Sequence, residues 1–582
     1  TSSCDLGAVP ANQKIVHSYN SLGQLTYVNY PDSSPDLTYD YDDNGNLELL
    51  TSSAASWTYD YNAVNALIEE ELISGGQTFT LNYGFDTQDR LSSITYPSGQ
   101  AVSMAPNAYG ETESVNGYAS DIDFHVNGSI KSLTYGNGRV FSTTQNARQL
   151  PWQLKVMNGG TTIAKFTHGY DANANILSID DGVNASSFDR TMSYDDIDRL
   201  ETASGFWGSG AYTYDALGNL RSKTEGGQAM TYNYNMSLNR LTSITGANAR
   251  SIAYDPRGNV TGDGNHTYTY NLAGNMVSST SPGISYKYDG HKRRVQKTEG
   301  GQTSFTMYGQ NGKLMHKLKG GVSTNYVYAG SLLIAELQGS TVNYLHTDLL
   351  GSPIKGDNGT AYSEHYRPWG EKKDHPVQLA DDVGYTGHQD DVATGLTYMQ
   401  ARYYDPVIGR FMAVDPLAFR TSSPPSFGRY TYGNNNPITM FDPNGEATEV
   451  ALKYYAINGN PLADHSYIQL DDTESDKSII VRAGPSGSYT RGPSAATKNE
   501  GQDGLTVHAQ SDDTKKSIDY SPEASTAASV TLDADFDEVS AKASKYIDEV
   551  NEASVDYRPR TTNSNAFAFG GYEELTNHRV SK

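Results

Sequence analysis

Of 582 residues only one, Cys4, is cysteine. A single thiol excludes an intramolecular disulfide, and it excludes a thiol cluster that could hold zinc. Cationic residues are also scarce, 43 Lys and Arg against 67 Asp and Glu, which leaves a formal charge of −24. Such a surface favours solubility, but it does not displace counterions from a phosphate backbone, so DNA or RNA binding by the bulk of the chain is not expected. No apolar run approaches the roughly 20 residues that a membrane-spanning helix needs. Thr1 opens no signal peptide, so the readings are a cytosolic protein, export without a cleaved leader, or a chain lacking its N-terminal part. Trp (4) and Phe (15) are few beside 43 Tyr and 56 Gly. That balance suits half-buried sheet surfaces, where a Tyr ring packs and its hydroxyl finds a partner.

From HSYNSLGQLTYVNYP at His17 to about Leu345 the chain repeats itself. Tyr194, Tyr214, Tyr234 and Tyr254 stand twenty residues apart, in SYDDIDRLETASG, TYDALGNLRSKTEGG, NYNMSLNRLTSITG and AYDPRGNVTGDG. A fixed period of this kind marks one supersecondary unit copied many times. Each copy reads strand, turn, strand: Tyr closes the first strand, an Asp-x-x-Gly-Asn set makes the turn, and Leu or Val opens the return. On this reading Asp195, Asp215 and Asp255 form turns and are neither acids nor calcium ligands. Alternation along TYDYN at 58–62 and TYTYN at 267–271 puts the rings on one face. A lone hairpin of this sort is marginal in water, so the copies are expected to pair into one long sheet. Aromatic sheets also bind sugars by stacking, which keeps carbohydrate binding open. Because the repeat is already under way at His17, the chain is expected to be a piece of something longer.

Residues 346–446 carry a denser pattern: LHTDLLGSPIKGDNGTAYSEHYRPWGE, then GYTGHQDDVATGLTYMQARYYDPVIGRFMAVDP, then RYTYGNNNPITMFDPNGE. This stretch resembles the Rhs-repeat-associated core of bacterial Rhs and YD-repeat proteins. The resemblance implies a mostly β fold, a large spiralling β-sheet shell of YD repeats (1–345), a core or plug (346–446) and a smaller α+β C-terminal toxin domain (447–582). It also implies a function in interbacterial competition, with a type VI secretion apparatus and a cognate immunity protein as partners. The protein is then made in the bacterial cytoplasm and delivered into a target cell. No cofactor and no metal is implied.

Two Asp-Pro turns end the core, Asp415-Pro416-Leu417-Ala418 and Asp442-Pro443-Asn444-Gly445. Cores that this one resembles often cut their own chain just after the second turn, which places the cleavage site near Glu446 with Asp415 and Asp442 as the catalytic pair. Two neighbouring carboxylates split their pKa values and supply an acid and a base. The chain departs from the family pattern at Ala418, usually Gly, and at Glu446, usually apolar. The plainer reading of both Asp residues is that they cap turns before Pro.

Beyond Gly445 the composition turns Ser-, Gly- and Asp-rich, then helical. Phe536, Val539, Ala543, Ile547 and Val550 share one helix face, with Asp533 or Asp535 as cap. Asn563-Ser564-Asn565-Ala566-Phe567 resembles the nucleophile block of circularly permuted papain-like hydrolases, with Ser564 at the cysteine position and His465 as general base. His508 and His578 are alternative bases, and Asp464 or Gln469 an orienting partner. Asn-Ser-Asn is equally a helix cap. Other classes stay open. A nuclease is disfavoured by the few Lys, and an ADP-ribosyltransferase is matched only loosely by Arg482, Ser488 and Glu573 or Glu574. A non-enzymatic adhesion or carbohydrate-binding surface protein is the third possibility.

Overall fold

The computed structural model describes residues 14–280, 283–356, 362–373, 382–417 and 427–446, together with the backbone of Tyr454–Ala456, Asp464–Asp472, Lys477–Pro485 and Leu505–Gln510. Chain contacts divide it into two units, Thr1–His125 with Ile130–Ala447, and Val126–Ser129 with Thr448–Lys582. No described helix is long and apolar enough to cross a membrane.

The first unit is a β-meander on a large scale. Twenty-three strands from Val16–Tyr19 to Arg250–Ser251 pair antiparallel in one sheet, and eleven from Tyr268–Tyr270 to Tyr362–Ser363 form a second. The copied unit explains why each strand finds its neighbour. In the copy at 190–205, Tyr194 pairs with Leu200 across a bulge, and the Asp195 carboxylate accepts from the amides of Ile197 (3.2 Å) and Arg199 (3.0 Å). Asp215 holds Leu217 and Asn219 in the same way, both at 3.0 Å, so these Asp residues shape turns. The last turn position lies in the left-handed region, occupied by Gly218 at φ 77°, Asn239 at 50° and Asp198 at 63°.

The tyrosines stitch one copy to the next. Tyr194 donates to the Ile176 carbonyl (2.8 Å), Tyr214 to Leu200 (2.7 Å) and Tyr234 to Leu220 (2.9 Å). Each acceptor is the residue that opens the return strand of the preceding copy. Phenylalanine has no hydroxyl for this bond, which accounts for the excess of Tyr. Along Ser56–Tyr61, Trp57 and Tyr59 are buried while Thr58 and Asp60 are exposed, the alternation that the sequence predicts.

The two sheets of this unit also clasp each other. Trp57 Nε1 donates to Asp289 (2.9 Å), Tyr96 to the Tyr326 carbonyl (2.8 Å) and Tyr135 to the Leu345 carbonyl (3.1 Å), partners 210–232 residues apart. The wall therefore comes round on itself as a spiralling β-shell. In the second unit, four strands pair antiparallel in chain order from Tyr454–Ala456 to Leu505–Gln510.

Candidate self-cleavage site

The site is built on a four-stranded antiparallel sheet, Gln389–Asp391, Leu396–Met399, Arg402–Asp405 and Arg410–Phe411. A two-residue turn, Gln400-Ala401, joins Met399 to Arg402, and the Ala401 amide donates to the Asn444 carbonyl (3.0 Å). The Asp442-Pro443-Asn444-Gly445 turn thereby docks against a hairpin tip. Gly445 sits at φ 75°, and a Cβ there would lie 2.0 Å from the Met399 carbonyl oxygen and 2.9 Å from the Arg402 nitrogen. Both the conformation and the close approach require glycine.

Arg402 opens the third strand of this sheet and is 2% exposed. Its guanidinium lies over the Phe411 ring, 3.6 Å from the centroid, which fixes its plane. Nη1 reaches Asp415 Oδ2 at 3.3 Å, Nη2 reaches Asp442 Oδ2 at 3.2 Å, and Nε donates to the Gly445 carbonyl. One cation thus meets both sequence-predicted carboxylates and the peptide that follows the second turn. Asp442 Oδ1 accepts from the amides of Gly445 (2.8 Å) and Asn444 (3.3 Å). Asp415 Oδ1 accepts from Leu417 (2.9 Å), and Arg429 donates to the Asp415 and Leu417 carbonyls. The turn-capping role and the meeting at Arg402 coexist.

The electrostatics of the pair are set by burial. Loss of water pushes the Asp442 carboxyl up to about 6 against the pull of Arg402, and Asp415 adds to the rise. Burial lowers Arg402 from its ordinary value, while Asp415, Asp442 and Glu446 draw it back. Burial also holds the His388 imidazole down to about 4. It is therefore neutral near pH 7, and its Nε2 donates to the Asp442 carbonyl (2.8 Å), anchoring that turn from the other side. The Glu446 amide donates to Asn444 Oδ1 (3.1 Å). The Glu446 carboxylate, which departs from the family pattern, accepts from the Asn444 side-chain amide (3.4 Å) and helps draw Arg402 upward.

Arg402 and His388 carry no motif signal of their own. The only hint of Arg402 is a cation amid the aromatic run MQARYYD, where a strand buried on both faces leaves a charge no exit to water. Ala418, Ser564, His578, Ser488, Glu573, Glu574 and the helix 536–550 lie outside the described residues. On the backbone, His465 stands opposite Tyr455, Gln469 opposite Ile480, and Arg482 between Tyr467 and His508. Among the described residues no group of three or more His, Cys, Asp or Glu side chains is placed to hold a metal ion.

Comparison with known proteins places these features in a family. The teneurin YD-shell family matches residues 7–438. The tRNA3(Ser)-specific nuclease WapA of Bacillus spizizenii is 32% identical over 40% of this chain and 11% of its own length. Toxin subunit YenC2 of Yersinia entomophaga is 24% identical over 60% of this chain and 44% of its own. The chain therefore spans about a tenth of the first relative and less than half of the second. A chain in the Photorhabdus luminescens Tc holotoxin pore superposes with a TM-score of 0.57 at 16% identity, covering 74% of this chain and 26% of that one, a likeness of fold. With a family match over residues 7–438, a repeat stitched by tyrosine and a Tyr-rich core sheet, this chain belongs to the teneurin YD-shell family of Rhs and YD-repeat proteins.

Proposed function

We propose that the chain is the shell and self-cleaving core of a polymorphic-toxin effector, with residues 447–582 as its toxin. The observation that carries the reading is the contact of one buried guanidinium with Asp415, Asp442 and the Gly445 carbonyl. In this mechanism water adds to the Gly445 carbonyl carbon as Asp415 takes its proton. Arg402 Nε holds the oxyanion that forms, where a donor in a dry site is worth most. The bond to the Glu446 nitrogen then breaks as Asp442, which retains its proton to higher pH, protonates that nitrogen. The products are a chain ending at Gly445 and one beginning at Glu446.

The names of the relatives, a tRNA nuclease and a toxin subunit, support a toxic cargo without fixing its chemistry. A permuted papain-like hydrolase or acyltransferase using Ser564 and His465 is the first reading. A nuclease, an ADP-ribosyltransferase or a non-enzymatic adhesion protein are the alternatives. Delivery through a type VI apparatus and neutralisation by an immunity protein complete the proposal.

Purified chain on a denaturing gel tests the core. Cleaved wild type, with intact Asp415→Asn and Asp442→Asn, is the expected result; a single band near 63 kDa in all three removes the protease. Expression of residues 447–582 tests the cargo: toxicity lost in Ser564→Ala and His465→Ala supports the dyad, and toxicity retained in both retires it.

A further inference from the structure

Away from the carboxylate pair, the shell holds a cavity of about 480 Å³. It lies between the loop after strand Leu25–Asn29, the turn at Ser53-Ala54, and the hairpin elements from Thr269 to Lys292. Its volume falls within the range of about 300–1,000 Å³ usual for small-molecule sites.

One side chain in it breaks the rule of the repeat. The Asn that ends each turn elsewhere bonds the turn's own Asp: Asn46 to Asp42 (2.8 Å), Asn175 to Asp171 (2.9 Å), Asn219 to Asp215 (3.1 Å) and Asn259 to Asp255 (2.8 Å). In the copy that lines the cavity the turn residue is Asn271, which accepts from the Asn275 backbone amide (2.9 Å). The Asn275 side chain is left without a hydrogen-bond partner among the described residues, although the residue is only 7% exposed. Its carboxamide atoms are not closed off by protein but open to the cavity, where they are available to a ligand.

Cationic and hydroxyl groups also face it. Lys287 and Lys292, both exposed, stand at the open side of the cavity with no ion pair among the described residues, and the half-buried Tyr30 has no hydroxyl bond there. The cavity's two carboxylates are already engaged. Asp32 accepts from Ser34 (2.9 Å) and Leu272 (3.0 Å), and Asp289 from Trp57 (2.9 Å) and Arg293 (2.8 Å). Two ammonium groups, an amide and a phenol, beside the ring of Tyr270, ask for a ligand rich in acceptors with a body that packs.

We infer that this cavity binds a small organic oxyanion, phosphorylated or carboxylated, with Asn275, Lys287 and Lys292 as its polar contacts. Calorimetric titration of the full chain with uridine 5′-monophosphate, glucuronate and inorganic phosphate tests this. One of the two organic anions should bind one to one, and its identity separates a phosphorylated from a carboxylated ligand. Lys287→Gln with Lys292→Gln, and separately Asn275→Leu, should each weaken that binding by about tenfold. Asn275→Leu should leave the melting temperature unchanged, whereas Asn219→Leu should lower it. The assignment is overturned if neither organic anion binds, if inorganic phosphate binds as tightly as both, or if the variants bind like wild type. It is equally overturned if Asn275→Leu melts as early as Asn219→Leu.

Discussion

Arg402 shows how much one side chain does when it is removed from water with three acceptors around it. Lysine carries the charge without the fork, and cannot meet Asp415, Asp442 and the Gly445 carbonyl at once. Arg402→Lys should therefore slow self-cleavage at least about a hundredfold, the usual cost of losing one oxyanion donor, as read from the time course of fragment appearance. With Asp442 as the acid, cleavage should fall as pH rises through about 6. The same raised value has a sign for stability. The folded chain keeps a proton that the unfolded one, at 3.8, gives up, so its stabilisation is full below 3.8 and lost as pH rises through about 6. Asp442→Asn should flatten the melting temperature across that window. The tyrosine ladder makes a simpler claim: Tyr214→Phe removes the 2.7 Å bond to Leu200 and should cost about 1 kcal/mol in denaturant unfolding, while Tyr19→Phe, at a 61% exposed site, should cost nothing measurable.

Among the elements, the copied hairpin explains both what the sequence discloses and what it hides. Tyr194, Asp195 and Leu200 are legible because their tasks are local: a ring on one face, a carboxylate under its own turn, a pairing six residues on. The Tyr hydroxyl bond to the previous copy is invisible in the pattern, since only the assembled sheet brings Ile176 under Tyr194. Arg402 and His388 are hidden for the same reason, whereas Asp415 and Asp442 are legible as turn formers because Asp-Pro turns are written in adjacent letters. Turn strain offers a further test. Ala174 sits at φ 69° where other copies place Gly, Asn or Asp, so Ala174→Gly should stabilise by about 1 kcal/mol, and Gly218→Ala, at φ 77°, should destabilise by about as much.

At the scale of the whole shell, stability rests on contacts between residues more than 200 positions apart as well as between neighbouring hairpins. Trp57→Phe withdraws the donor from Asp289, a carboxylate 4% exposed, and leaves part of the buried indole volume empty, so it should cost at least about 2 kcal/mol in unfolding followed by circular dichroism. The most direct measurement of the central claim is intact-mass and terminal-peptide analysis of the purified chain beside its Asp442→Asn variant. The account predicts a wild-type fragment beginning at Glu446 that is missing from the variant. An uncut wild-type chain of 63.3 kDa, or a cut elsewhere that survives Asp442→Asn, would contradict it.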